Sequence, residues 1–143
     1  MSCCTFCGHH DTSERIRPLL REKLIQLIEE NGVDNFLIGN NGQFDSMALG
    51  VIRELTNQYP KIRYSVVLAY LPIKKEEYSP YSEEETLYPD GLETVPQRFA
   101  ITHRNRWMAD CSDFIISYVK KKYGGAYQTL RYAKNKRLKI IEL

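Results

Sequence analysis

No stretch of this sequence is long and apolar enough to cross a bilayer, which takes about 20 consecutive apolar residues. Its longest apolar run, YSVVLAYL at 64–71, is far shorter. An excess of one charge is also missing. Twenty Lys and Arg against 18 Asp and Glu leave a net +2, too little for the overall field to recruit nucleic acid or an anionic membrane, although local basic clusters stay open. The opening MSCCTFCGHHDT lacks the basic and apolar regions of a secretion signal, so the expected compartment is the reducing cytoplasm and disulfides are not expected. Cys111 stands about a hundred residues from Cys3, Cys4 and Cys7, so the second half of a zinc-ribbon pattern is absent.

With 43% apolar and 27% charged residues over 143 positions, the composition is that of one ordinary globular domain, and disorder is excluded. Five apolar runs, at 3–7, 35–39, 64–71, 113–119 and 138–143, read as buried strands. They show no polar alternation, as a parallel sheet covered on both faces requires. Helical spacing fills the gaps. It runs from Pro18 to Asn31, from Phe44 to Tyr59, from about Pro96 to Asp110 and from about Ala126 to Asn135. Strand and helix alternate throughout, so the expected fold class is α/β, a doubly wound, mostly parallel five-stranded sheet with helices on both faces.

Such a sheet binds ligands beyond the carboxyl ends of its strands, where the strand order reverses. The loops expected there are GHHD at 8–11, GNNGQFD at 39–45 and KKKYGGA at 120–126. Segment 72–95 is too long for an ordinary connection and carries seven acidic residues, so it reads as a lid, a partner surface or a solvated insertion.

Cys4, Cys7, His9 and His10 are residue types that zinc takes. Because the cysteines fall in a buried strand whose alternation sends Cys4 and Cys7 to opposite faces, no metal site and no catalytic thiol is expected. Gly8 and His9 form a strand-to-helix turn suited to an anion, with His10 as an alternative donor. Gly39, Asn41 and Gly42 supply a flexible turn with amide donors. Asp45, in the first turn of the following helix, is either a cap and dipole partner or an acceptor for a ligand hydroxyl. Gly124 and Gly125 open the next helix, where a phosphate or sugar can approach closely. Arg104 offers a planar fork for phosphate and is the charge expected nearest the ligand; Trp107 reads as core.

The order of these motifs, TFCGHHDT, GNNGQFDSMA, YPDGLETVPQRFAITHRNRWMADCSDFIISYV and YGGAYQTLRYA, resembles small single-domain bacterial members of the SLOG superfamily. That Rossmann-like group joins the DNA-processing Smf/DprA proteins with the "Lonely Guy" nucleotide phosphoribohydrolases. The resemblance covers nearly the whole chain and implies a single domain over 1–143 with an insertion at about 72–95. It also implies a nucleotide or nucleotide-derived ligand, read here as bound for sensing or sequestration; no cofactor is expected. The phosphoribohydrolase branch carries a GGxGTxxE signature whose glutamate is catalytic. Aligned at Gly124 and Gly125, this chain has Tyr127, Gln128 and Arg131 in place of the third glycine, the threonine and the glutamate. Binding is therefore favoured over hydrolysis. The alternative is a nucleoside 5'-monophosphate phosphoribohydrolase-like enzyme using Asp45 as its acid. A single-stranded DNA-binding module is disfavoured by the near-neutral charge, and homo-oligomerisation is left open.

Overall fold

The computed structural model describes residues 2–71 and 81–143. In chain order the elements are β1 (Cys3–Gly8), α1 (Arg17–Glu30), β2 (Asn35–Ile38), α2 (Gln43–Gln58), β3 (Arg63–Val67), β4 (Thr86–Leu87), α3 (Ala100–Asp110), β5 (Phe114–Tyr118), α4 (Gly125–Asn135) and β6 (Lys139–Glu142). Short 3₁₀ turns at 14–16, 83–85, 92–94 and 97–99 join several of them.

Every strand pair is parallel, and the order across the sheet is β4-β3-β2-β1-β5-β6. The sheet thus has one strand more than the five apolar runs suggest. The extra strand, β4, is two residues long and pairs Thr86 and Leu87 with Val66 and Val67. A segment that short within an acidic insertion leaves no apolar signature to read. The third run also divides, because regular pairing stops at Val67 although Leu68 and Ala69 stay buried.

Residue alternation along β1 sets the two layers. Cys4 and Phe6 point toward α1 and α2, where they join Leu20, Leu24, Leu27, Phe36, Phe44, Met47, Val51, Ile52 and Leu55 in the largest core cluster. Cys3 and Cys7 point the other way. Cys3 packs with Leu37, Val67 and Met108 beneath α3, while Cys7 packs with Ile115, Leu130 and Ala133 beneath α4. Phe44, Met47, Val51, Ile52 and Leu55 of α2 are each no more than 1% exposed, and burying such a side chain is worth about 1.5–3 kcal/mol. Trp107 leans half-buried on the α3 cluster, in keeping with a core role.

The insertion is anchored where it is described. Glu85 accepts two hydrogen bonds from Arg53 of α2, at 2.7 and 3.0 Å, and one from the Tyr64 hydroxyl of β3 at 2.5 Å. Its carboxylate also accepts the Ser82 amide at 2.9 Å. These bonds, the Arg53 pair foremost, lower the Glu85 pKa to about 2. Residues 72–80, the first part of the proposed lid, lie outside the described residues.

Candidate functional site

The strand order reverses between β1 and β5. β1 leads through α1 to β2 on one side, whereas α3 returns the chain to β5 on the other. Loops leaving the carboxyl ends of these two strands must diverge, and a crevice opens between them. A cavity of about 270 Å³ lies there, lined by Gly8, His9, His10, Asp11, Asn41, Asp45, Arg104, Lys121, Tyr123, Gly124, Gly125 and Thr129 among others.

Two helices start at this crevice from glycines in the positive-φ region. Gly42, at φ 104°, caps α2, and Gly124, at φ 92°, caps α4. A side chain is strained at such angles, which explains why both caps are glycine. Neither cap contributes a side-chain hydrogen bond. The first turn of α4, Gly125 and Ala126, faces the cavity, where unpaired helix amides and the positive end of the helix dipole favour an anion. Lys121 adds a positive charge on the same wall.

The opposite wall is built around a buried arginine. Arg104 is 1% exposed. Its guanidinium donates to Asn40 Oδ1 at 2.9 Å, Asn41 Oδ1 at 2.6 Å, the Val67 carbonyl at 2.9 Å and Asn105 Oδ1 at 2.8 Å. Arginine stays charged even where burial lowers its pKa, as here. With these donors engaged within the protein, Arg104 holds the GNNG loop in place against the end of β3. The Asp45 Oδ2 accepts the Asn41 amide at 2.9 Å, while burial raises the Asp45 pKa against the opposing pull of that amide, Arg104 and His10. Asp45 thus caps its own loop and also lines the cavity. Glycine at 39 makes the cluster compact, since a Cβ there would lie 2.9 Å from Asp45 Oδ2 and 3.2 Å from Arg104 Cζ.

The GHHD turn is tied to both neighbours. His9 Nε2 accepts the Lys120 amide at 2.9 Å across the switch point, and the His10 carbonyl accepts the Gln43 amide at 2.9 Å. Gly8 owes its identity to packing, because a Cβ there would fall 2.2 Å from the Phe44 ring.

Of the residues singled out in the sequence, Gly8, His9, Asn41, Asp45, Arg104, Gly124 and Gly125 meet at this one cavity; Gly39 and Gly42 stand behind its wall. Sequence reasoning missed Asp11, Lys121, Tyr123 and Thr129, which also line it. Lys121 and Tyr123 stood in plain view just before the glycine pair. Thr129 carried no signal, since only the packing of α4 turns it inward. Arg106 goes elsewhere. Its guanidinium lies 5.3 Å from the Tyr132 ring centroid, in a separate groove with Trp107.

Among the described residues no group of three or more His, Cys, Asp or Glu could hold a metal ion, and none of their helices is long and apolar enough to cross a membrane. Burial pushes the Cys4 and Cys7 thiols well above the ordinary range, which makes both poor nucleophiles.

A parallel, doubly wound sheet with two glycine-capped helices facing the switch point defines a Rossmann-like domain with a crevice at that point. Within that class the chain belongs to the YspA SLOG family, whose profile matches residues 1–138. A search of curated proteins finds no match. Two solved structures share the fold. DNA processing protein A from Helicobacter pylori, described by its single-stranded DNA binding mode, superposes with a TM-score of 0.67 at 14% identity, over 99% of this chain and 64% of that one. DprA from Streptococcus pneumoniae gives 0.68 at 16% identity, over 99% and 50%. This chain therefore spans half to just under two thirds of the DprA chains that it matches.

Proposed function

We propose that the chain binds a nucleotide or nucleotide-derived small molecule, for sensing or sequestration, in the cavity between β1 and β5. The polarity of that cavity carries the reading. One wall, the α4 N-terminus with Lys121, is built for an anion; the other presents Asp45 as an acceptor for hydroxyl or amino donors. A phosphate joined to a ribose or a base has both halves of this pattern. The volume of about 270 Å³ falls just below the roughly 300–1,000 Å³ of small-molecule sites, which suits a mononucleotide better than a longer ligand.

A thermal-shift screen across mono-, di- and cyclic nucleotides tests it. A ligand at about a hundred times its dissociation constant adds about 2.7 kcal/mol to stability. Lys121→Ala and Asp45→Asn should each weaken the hit. No hit in the panel refutes the reading.

Two rivals are decided in the same experiments. The enzymatic reading takes Asp45 as its acid, and it requires free base to appear when nucleoside monophosphates are incubated with the protein. Against it, Arg131, where the hydrolase signature has its glutamate, stacks on Tyr127 and is no part of the cavity lining. The shared DprA fold and the rim residues Lys121 and Tyr123 weaken the case against a nucleic-acid partner that the overall charge made. That reading requires an oligonucleotide to bind more tightly than any mononucleotide, with strong salt dependence.

A further inference from the structure

An arginine side chain has only donors and no acceptor, so an amide that bonds to it must turn its oxygen inward. Three asparagines obey that constraint around Arg104. Asn40 and Asn41 accept from its two Nη groups at 2.9 and 2.6 Å, and Asn105 accepts from its Nε at 2.8 Å. The Nδ2 end of each is thereby turned away from the guanidinium.

For Asn105 that end is open at the cavity. The residue sits on α3, half-buried, and lines the cavity between β1 and β5. It also lines a small adjoining hollow of about 30 Å³ with Thr102, Arg106, Gly125, Gln128 and Thr129. Since Gly125 and Thr129 border both spaces, Asn105 stands beside the first turn of α4. The Thr129 hydroxyl there donates to the Gly125 carbonyl at 2.9 Å, which leaves it no proton for a ligand. Asn105 Nδ2 has no hydrogen-bond partner among the described residues. Nor is it sealed from solvent, for the one buried side-chain polar atom without a partner among those residues is Ser117 Oγ. Two N–H donors are therefore available to whatever the cavity holds.

We infer that Asn105 is a ligand-binding residue of the proposed nucleotide site, donating through Nδ2 to the phosphate at the α4 N-terminus. The inference rests on the nucleotide reading of the cavity and adds a donor from α3 to its anion-binding half. Arg104 is then a positioning residue. It holds the amide so that a donor and not the oxygen faces the anion, and a side chain already fixed loses little freedom when the ligand arrives.

Heteronuclear NMR of the isotope-labelled chain tests it, with inorganic phosphate and adenosine 5'-monophosphate as probes at constant ionic strength. Both should shift the Asn105 side-chain NH₂ signals together with the Gly125 and Ala126 amides. The Asn40 NH₂ signals should stay in place, because Asn40 does not line the cavity. Asn105→Asp keeps an oxygen for Arg104 Nε, removes the donor and sets a negative charge before the anion. It should weaken both probes by about ten- to a hundredfold and leave the affinity for adenosine, which has no phosphate, unchanged. A merely structural role would move adenosine and the phosphate probes alike. Asn40→Asp adds the same charge at the same guanidinium and should change affinity by less than about fivefold. Circular dichroism shows that each variant is folded, and the native-chain titration decides the point without them. Phosphate that shifts Gly125 and Ala126 but not the Asn105 NH₂, phosphate that shifts none of the three, or undiminished phosphate affinity in folded Asn105→Asp would each overturn the inference. If inorganic phosphate acts as expected and no mononucleotide binds, the nucleotide reading falls and Asn105 remains part of an anion site.

Discussion

Replacing Arg104 should damage the fold as much as any ligand site. The guanidinium is 1% exposed and makes four hydrogen bonds, one of them to the carbonyl of Val67 at the end of β3. The other three reach amide oxygens of Asn40, Asn41 and Asn105. A hydrogen bond to a charged group is worth about 1.5–3 kcal/mol. The sum is not the cost, because the asparagines border the cavity and can rehydrate, and removing a buried charge returns its desolvation penalty. Breaking a buried ionic network by deleting one partner typically costs about 3–5 kcal/mol, and the lower half of that range fits a cluster with water at its edge. Arg104→Ala should therefore lose about 3–4 kcal/mol. With a urea m-value of about 2 kcal/mol per molar, the unfolding midpoint falls by about 1.5–2 M at unchanged slope. Arg104→Met keeps the length and apolar stem and loses the donors, so it should cost nearly as much. Hydrogen exchange at Asn41, whose amide is held by Asp45, should quicken in both variants. A loss below about 1 kcal/mol in either variant, with Asn41 exchange unchanged, would refute the idea that this arginine fastens the loop.

Four shorter tests follow from other contacts. Gly8→Ala places a methyl 2.2 Å from the Phe44 ring and should cost about 2–3 kcal/mol by overpacking, while Gly8→Ala with Phe44→Leu should be less destabilised than the sum of the single variants in chemical denaturation. Glu85 has its pKa lowered to about 2 by Arg53 from an unfolded value of about 4.3. Its stabilisation is thus complete above about pH 5 and is lost as pH falls toward 2. With allowance for solvent screening it is about 1 kcal/mol, and Glu85→Gln should flatten that part of the stability profile. Arg137 holds φ at 64° just after α4, a left-handed position where glycine is at ease. Arg137→Gly should stabilise by about 0.5–1 kcal/mol, read as a higher thermal midpoint. Cys111 is the exposed one of four free cysteines, so a thiol reagent should titrate one group in the native protein and four only after unfolding.

The apolar runs and the helical spacing already determined the layered α/β class, because burying both faces of a parallel sheet leaves continuous hydrophobic strands and one-sided helices. Pro18, Gly42, Gly124 and the series from Phe44 to Leu55 marked where the helices lie, since first-turn proline, positive-φ caps and apolar periodicity act through nearby residues. The glycine loops pointed to the crevice because helix starts after strands are where anions bind. Tertiary structure decided the rest. Arg104 and Arg106 look alike in sequence, two positions apart on α3; packing buries one beneath the GNNG loop and lays the other over Tyr132. No local pattern could show that Gly8 yields to Phe44, or that Glu85 reaches Arg53, 32 residues away. Such contacts join segments distant in the chain, and the order in which the strands assemble fixes which segments meet.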